Sequence, residues 1–160
     1  MPLHNIKIDR KAKLGQHRLL DIFPELDKVN CIKRLFGAKT KRIMDRLGLG
    51  VSKKEWYAWV DDKKGRVMIG QWYLRKGKSN YIYLDIIHEL AHIKQHRKKI
   101  HLWDDKYHYV DRPTEIEAYR FCVKEAKRLG MRKGEIQKYL YMSWLSDDEN
   151  KRLYKNSGVG

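Results

Sequence analysis

The sequence predicts an α+β fold in which a short antiparallel sheet packs on the helices that carry the functional residues. Apolar residues recur every three or four positions on both sides of a central segment, which is the spacing of helices. Between them, residues 54–84 are rich in aromatic and β-branched side chains separated by short turns, as strands are. We therefore divide the chain into a basic helical N-terminal region (1–50), a core (51–145) and a polar, loosely held C-terminal tail (146–160).

The composition is that of a globular protein. The chain has 160 residues, of which 42% are hydrophobic and 35% charged, and this mixture excludes a disordered tail or a low-complexity segment. The sequence contains no run of about 18 apolar residues, so we expect no membrane-spanning helix. Residues 1–5 lead into charged residues and not into an apolar segment, so we expect no secretory signal. Cys31 and Cys122 are too few for a disulfide framework. We expect a single domain in a reducing cytoplasm, without a membrane partner.

The net charge is strongly positive. Lysine and arginine number 36 and aspartate and glutamate 20, which gives +16. Such a field attracts nucleic acid and other polyanions. Because the basic residues are spread along the chain, solubility is the plainer explanation, and nucleic-acid binding through a basic surface is the alternative function.

The N-terminal region is predicted to form short helices. Apolar residues recur at helical spacing over 26–36, before Gly37. A second helix carries Ile43 and Met44 and is predicted to end near Gly48 or Gly50.

Three strands are predicted in the central segment, over Trp56–Val60, Arg66–Leu74 and Tyr81–Leu84. The connections, residues 61–65 and 76–80, are short and contain glycine. Connections of this length imply an antiparallel meander.

Helices return after residue 85. A first helix is followed by a histidine-rich loop over 99–112, and a second helix opens at Pro113 and ends at Gly130. A last helix is predicted over 135–145.

The segment that indicates chemistry is His88-Glu89-Leu90-Ala91-His92. On a helix, residues four apart project from one face, so His88 and His92 can chelate one zinc ion. Glu89 lies beside His88, where its carboxylate can reach a water molecule without ligating the metal, as a general base must.

A catalytic zinc site needs a third protein ligand. The candidates are His96, His101, His108, Glu115 and Glu117. His96 lies one turn too far along the helix, and Thr114 with Glu117 has the spacing of a helix-capping pair. Glu115 shares a helix face with small Ala118, which favours it as the ligand; Glu117 and the loop histidines His101 and His108 remain alternatives.

His88-Glu89-Leu90-Ala91-His92, followed by Glu115-x-x-Ala118, resembles the zincin metallopeptidases of the gluzincin type, particularly the minigluzincins and the ImmA/IrrE-like peptidases. The resemblance covers about residues 66–130 and is strong only in the two motifs. It implies a zincin-like core with glutamate as third ligand. Many gluzincins carry Asp or Asn four residues after that glutamate, whereas this chain has Tyr119.

The same resemblance implies a zinc metalloendopeptidase that hydrolyses peptide bonds of a protein substrate through a zinc-bound water activated by Glu89. Zincins usually hold their substrate extended along an edge strand, which would be the second or third strand of the meander. Some minigluzincins are latent because their own chain blocks the site. A tail that folds back over the cleft would produce such latency here.

Overall fold

The computed structural model describes residues 6–160. Residues 1–5, where we expected no secretory signal, lie outside that part. The α+β class is confirmed, with a four-stranded sheet in the order β1-β2-β4-β3. The strands are β1 (Gly15–Arg18), β2 (Gly48–Ser52), β3 (Ala58–Asp61) and β4 (Arg66–Gly70). The outer pairs β1–β2 and β3–β4 are antiparallel and the central pair β2–β4 is parallel. The expectation of a purely antiparallel sheet is therefore wrong, and the sheet is mixed.

Helices surround this sheet. They are α1 (Leu19–Ile22), α2 (Asn30–Phe36), α3 (Thr40–Arg46), α4 (Gln71–Lys76), α5 (Ser79–Arg97), α6 (Pro113–Arg128), α7 (Lys133–Leu140) and α8 (Asp147–Ser157). Single turns of 3-10 helix cover Leu26–Lys28, Gly37–Lys39 and Tyr109–Asp111. The long helix α5 lies at the centre and packs against α2, α6, β3 and β4.

The predicted hairpin over the first two strands is present as β3 and β4, in register at Val60 and Val67. The second strand is shorter than predicted because it ends at Gly70. A β-carbon at Gly70 would overlap the carbonyl oxygen of Trp56. The chain then turns into α4, so the strand predicted to reach Leu74 is wrong beyond Gly70.

The third predicted strand is also wrong, because Tyr81–Leu84 belongs to α5. Its β-branched and aromatic residues favour strands locally. However, Ile82, Ile86 and Leu90 lie at helical spacing and are all fully buried. Burial around the whole helix outweighs the local preference.

The N-terminal region is not only helical. It supplies β1 and β2, and β2 pairs with β4 in parallel. In β2 the apolar residues Leu49 and Val51 alternate with Gly48 and Gly50, which is the period of a strand. The glycines that we interpreted as helix ends are part of this strand, so residues 15–50 and the core share one sheet.

The C-terminal segment is ordered, contrary to the loosely held tail that we expected. Helix α8 begins after Ser146, whose Oγ accepts a hydrogen bond from the N–H of Glu149 at 3.1 Å. It packs against α6 and the 109–111 turn, with Leu153 and Val159 buried. The predicted last helix is shorter than expected and ends at Leu140.

Within residues 6–160, no helix is both long and apolar enough to cross a membrane. Cys31 and Cys122 are both free and buried.

Candidate metal centre

Helices α5 and α6 pack against each other and bring three side chains to one buried point. His88 and His92 project from α5, one turn apart, and their Nε2 atoms are 3.0 Å apart. Glu115, in the first turn of α6, places Oε1 2.7 Å from His92 Nε2 and Oε2 3.4 Å from His88 Nε2. His92 and Glu115 are only 1% and 2% exposed. We call these three residues the His-His-Glu cluster.

The donor atoms of the cluster suit a cation. All three lie within 4.8 Å of one another. Tetrahedral ligands about 2.0–2.1 Å from zinc are about 3.3 Å apart, close to the separations seen here. Among the described residues, His88 Nδ1 and Glu115 Oε2 are buried without a hydrogen-bond partner. A buried carboxylate oxygen facing two imidazole nitrogens is costly unless a proton or metal ion lies between them. The cluster can therefore bind a metal ion.

Gln95 determines the tautomer of His92. The side-chain amide of Gln95 donates to the Thr114 carbonyl oxygen (3.0 Å) and to Glu117 Oε1 (3.2 Å). Its Oε1 is then the acceptor that faces His92 Nδ1 at 2.8 Å, so Nδ1 carries the proton. In the neutral imidazole, the Nε2 lone pair of His92 then faces the cluster, as ligation requires.

The pKa values of His92 and Glu115 are shifted in opposite directions by their contact with each other and by burial. Burial alone would lower the pKa of His92, but hydrogen bonding and charge from Glu115 raise it to about 9. Burial alone would raise the pKa of Glu115, yet the two histidines lower it well below its usual range. Without a metal ion, a proton on His92 takes the place of the cation.

Glu89 follows His88 on α5 and is buried near the cluster without belonging to it. Burial raises the pKa of Glu89 to about 7, although the charges of His88 and His92 act in the opposite direction. A carboxylate in this position can exchange a proton near neutral pH.

The other predicted ligand candidates lie away from the cluster. Half-buried His96 places Nε2 2.6 Å from the Asp62 carbonyl oxygen. His101 and His108 are exposed on the loop before α6. Glu117 is exposed and touches Gln95.

The capping pair predicted at the start of α6 is wrong. Arg112 is the N-cap residue, and Thr114 lies inside the first turn. Thr114 Oγ1 donates instead to the Leu102 carbonyl oxygen at 3.0 Å, which anchors the loop before α6. Ala118, the small residue that shares a helix face with Glu115, is fully buried on α6.

Two tyrosines that we did not assign to the site lie against the cluster. The ring of Tyr119 packs on His88 with their centroids 4.2 Å apart. Its hydroxyl is 2.6 Å from that of Tyr109, which comes from the 109–111 turn. Tyr119 follows Glu115 by one helical turn, and the sequence alone places it on the same helix face. The contact with Tyr109 depends on the fold of the loop.

Asp85, one turn before His88 on α5, was also missed. Tyr73 donates to one carboxylate oxygen of Asp85, and Tyr139 donates to the other at 2.5 Å. Helices α4 and α7 are thereby joined to the helix that carries the histidines. Burial raises the pKa of Asp85, while the two tyrosines act against that shift.

Within residues 6–160, the sheet has an unpaired edge next to α5, but on a different strand from the one we predicted for substrate. The second predicted strand, β4, is paired on both sides, and the third is helical. The edge strand that packs against α5 is β3, the first of the predicted meander. Exposed Trp56 and Tyr57 immediately precede it.

No protein-family model, curated protein or solved structure matches this chain. The fold and the site together define an α+β protein with a buried His-His-Glu cluster that can hold a metal ion.

Proposed function

We propose that this protein is a zinc-dependent metallopeptidase of the gluzincin type with a zincin-like core. In it His88, His92 and Glu115 hold the metal ion and Glu89 is the general base. The observation that carries the proposal is the convergence of these three side chains from α5 and α6, with Glu89 buried beside them. Two histidines and one glutamate also form the ligand set of known catalytic zinc sites, which keep a fourth position open.

When bound, zinc supplies a Lewis acid that polarises a carbonyl group and acidifies water. Glu89 takes a proton from the water molecule whose oxygen attacks the peptide carbonyl carbon. It then gives that proton to the leaving nitrogen as the C–N bond breaks. Gln95 keeps the proton of His92 on Nδ1 throughout. Buried Leu90 and Ala91, on the other faces of α5, hold the histidine face rigid.

The substrate we propose is an extended polypeptide. The unpaired edge of β3 offers backbone N–H and C=O groups with which such a chain can pair by strand addition. Exposed Trp56 and Tyr57 lie at the start of this edge and provide an apolar surface for substrate side chains.

Metal content and peptide cleavage test the proposal together. Zinc-loaded wild type is incubated with a peptide library, and new termini are identified by mass spectrometry. We expect Glu89→Gln to retain one zinc per chain and to lose cleavage by at least a hundredfold, because the proton acceptor is gone. Glu117→Gln is the matched control and should retain both properties. Absence of cleavage by zinc-loaded wild type, or equal cleavage by Glu89→Gln, would contradict the proposal.

Zinc retention by single variants tests which residues are the metal ligands. Glu115→Gln and His92→Ala should lose zinc on dialysis against a weak chelator, whereas Glu117→Gln should keep it. If Glu115→Gln retained zinc and Glu117→Gln lost it, the third ligand would be Glu117 instead of Glu115.

A further inference from the structure

We propose that a basic cleft, separate from the His-His-Glu cluster, binds the phosphate backbone of nucleic acid. The cleft has a volume of about 1400 Å³ and lies between α3, the β3–β4 hairpin and the end of α5. Its cationic lining residues are Arg42, Arg46, Lys64, Arg66, Arg97 and Lys99. None of the three cluster residues, and not Glu89, lines it.

Most of these cations lack a carboxylate partner. Arg66 pairs with Asp61, with Nε 3.3 Å from Oδ2. The other five form no ion pair with any residue of the described part of the chain. Asp62 is the one carboxylate among the described lining residues. Like charges in a concave wall repel one another and focus a positive potential, which an anionic ligand would neutralise.

Five of these cations, three arginines and two lysines, form no ion pair among the described residues. They come from elements far apart in the sequence. Arg42 and Arg46 lie four residues apart on one face of α3, and Lys64 lies in the hairpin turn. Arg97 ends α5 and Lys99 follows it. The fold therefore concentrates charges that the sequence spreads out. Arginine guanidinium groups match the geometry of phosphate oxygens and bind them through paired hydrogen bonds.

The size and chemistry of the cleft favour a nucleic-acid backbone. Pockets for small molecules usually have volumes of roughly 300–1,000 Å³, so this cleft exceeds the size that one small anion needs. Nucleic acid presents a phosphate about every 3.4 Å along each strand, a charge density that suits many cations in one cleft. None of the described lining residues is Trp, Tyr or Phe, and their rings are the imidazoles of His17, His96 and His101, so the cleft lacks the large aromatic side chains on which bases usually stack. We therefore expect contacts to phosphates and little dependence on base sequence.

Fluorescence anisotropy with a labelled 20-base-pair DNA duplex of random sequence, at several KCl concentrations, tests the inference. Wild type should show a steep linear fall of log K with log salt concentration. Arg42→Ala/Arg46→Ala removes two exposed cations, so it should reduce that slope by about two and weaken binding tenfold or more at low salt. Lys64→Ala/Arg97→Ala provides a second variant at the other wall, with the same expected result.

The matched control is Arg75→Ala/Lys76→Ala. These two exposed cations are on α4, which follows the opposite end of β4 from Arg66. This variant has the same net charge as the cleft variants and should bind within threefold of wild type. Circular dichroism and thermal melting would confirm that all variants fold.

Three results would overturn the inference. They are a flat salt response of wild type, equal losses in the cleft and α4 variants, and competition by polyglutamate as effective as that by unlabelled duplex. The last would assign the cleft to acidic polypeptides instead. Zinc-free protein and Glu89→Gln should bind the duplex like wild type, so failure of the peptidase proposal and failure of this inference are distinguishable.

Discussion

Gln95 is the residue on which the ligand geometry of His92 depends most directly. It accepts from His92 Nδ1 and donates across to α6, at the Thr114 carbonyl oxygen and Glu117. One buried amide therefore orients an imidazole of α5 and joins it to the helix that carries Glu115. The sequence shows this residue only as a glutamine three positions after His92.

We predict that Gln95→Ala weakens zinc binding about 10–100-fold, which is typical when the partner of a ligand histidine is lost. Competition with a chromogenic zinc chelator would measure the affinity. Gln137→Ala, the same change on α7, is the control and should leave the affinity unchanged. Equal zinc affinities of Gln95→Ala and wild type would show that His92 needs no orienting partner.

Tyr119 is the position at which the chain departs from the pattern of the gluzincins, the type that we propose for it. At this position many gluzincins carry an acid or amide that supports a ligand histidine, whereas here a tyrosine ring packs on His88. Among the described residues, His88 Nδ1 has no hydrogen-bond partner. Packing by Tyr119 thus positions His88, while a hydrogen bond positions His92.

At the scale of elements, the α5–α6 pair is tied together far from the cluster by Glu125. This carboxylate accepts from Tyr83 on α5 at 2.7 Å and pairs with Arg128 on its own helix. Burial alone would raise the pKa of Glu125, but the hydrogen bonds from Arg128 and Tyr83 outweigh it and lower the pKa below its ordinary 4.5. The ionised form therefore stabilises the folded state.

The lowered pKa sets the direction of a pH effect on stability. Above about pH 4.5 the stabilisation by Glu125 is fully present, and it is lost as the pH falls through the lowered pKa of the folded state. We predict that Glu125→Gln reduces the free energy of unfolding by about 1–3 kcal/mol at pH 7. The difference from wild type should shrink below pH 4.5. Urea denaturation at several pH values would measure it, with exposed Glu55→Gln as control; a difference that grew in acid would contradict the assignment.

Helix α8 supports the turn that carries Tyr109. Asn156 donates to the Val110 carbonyl oxygen at 3.0 Å, Arg152 pairs with Asp111 at 2.8 Å, and Leu153 is buried. The C-terminal segment therefore acts as a support of one wall of the site.

Neighbouring residues of α8 allow a matched test of what holds this helix in place. Leu153→Ala should lower the free energy of unfolding by about 2–5 kcal/mol, because it removes a buried apolar side chain. Arg152→Ala breaks an ion pair between exposed side chains and should cost much less stability than Leu153→Ala. Chemical denaturation of both variants would reveal the ranking, and the reverse order would show that the ion pair holds α8.

At the scale of the whole molecule, we expect the proposed metal binding to be coupled to folding. Because the three ligands come from two helices, only the folded chain presents the cluster complete. We predict that zinc at about 100 times its Kd stabilises the protein by about 2.7 kcal/mol. For a chain of this size the thermal midpoint should rise by roughly 5–10 °C. The rise should be absent in His92→Ala; an equal rise there would place zinc elsewhere.

Some predictions succeeded because they depended on neighbouring residues, whereas others failed because they depended on contacts across the whole molecule. The spacing of His88, Glu89 and His92 predicted one helix face, and Pro113 predicted the start of α6, because both depend on neighbours within one turn. The strand predicted at Tyr81–Leu84 failed because burial around α5 overrides local preference. Strand β2 was missed because its partners, β1 and β4, are distant in sequence.

The sequence by itself determined the α+β class, the pair of histidines with its adjacent glutamate, and the order in which the helices α5 and α6 follow the strands. Only the tertiary structure decided that Glu115 joins these histidines instead of Glu117, His101 or His108. It also brought Gln95 and Tyr119 against the imidazoles and gathered scattered arginines into one cleft. The physical reason is that local patterns fix which face of an element a residue occupies, whereas the packing of elements fixes which faces meet.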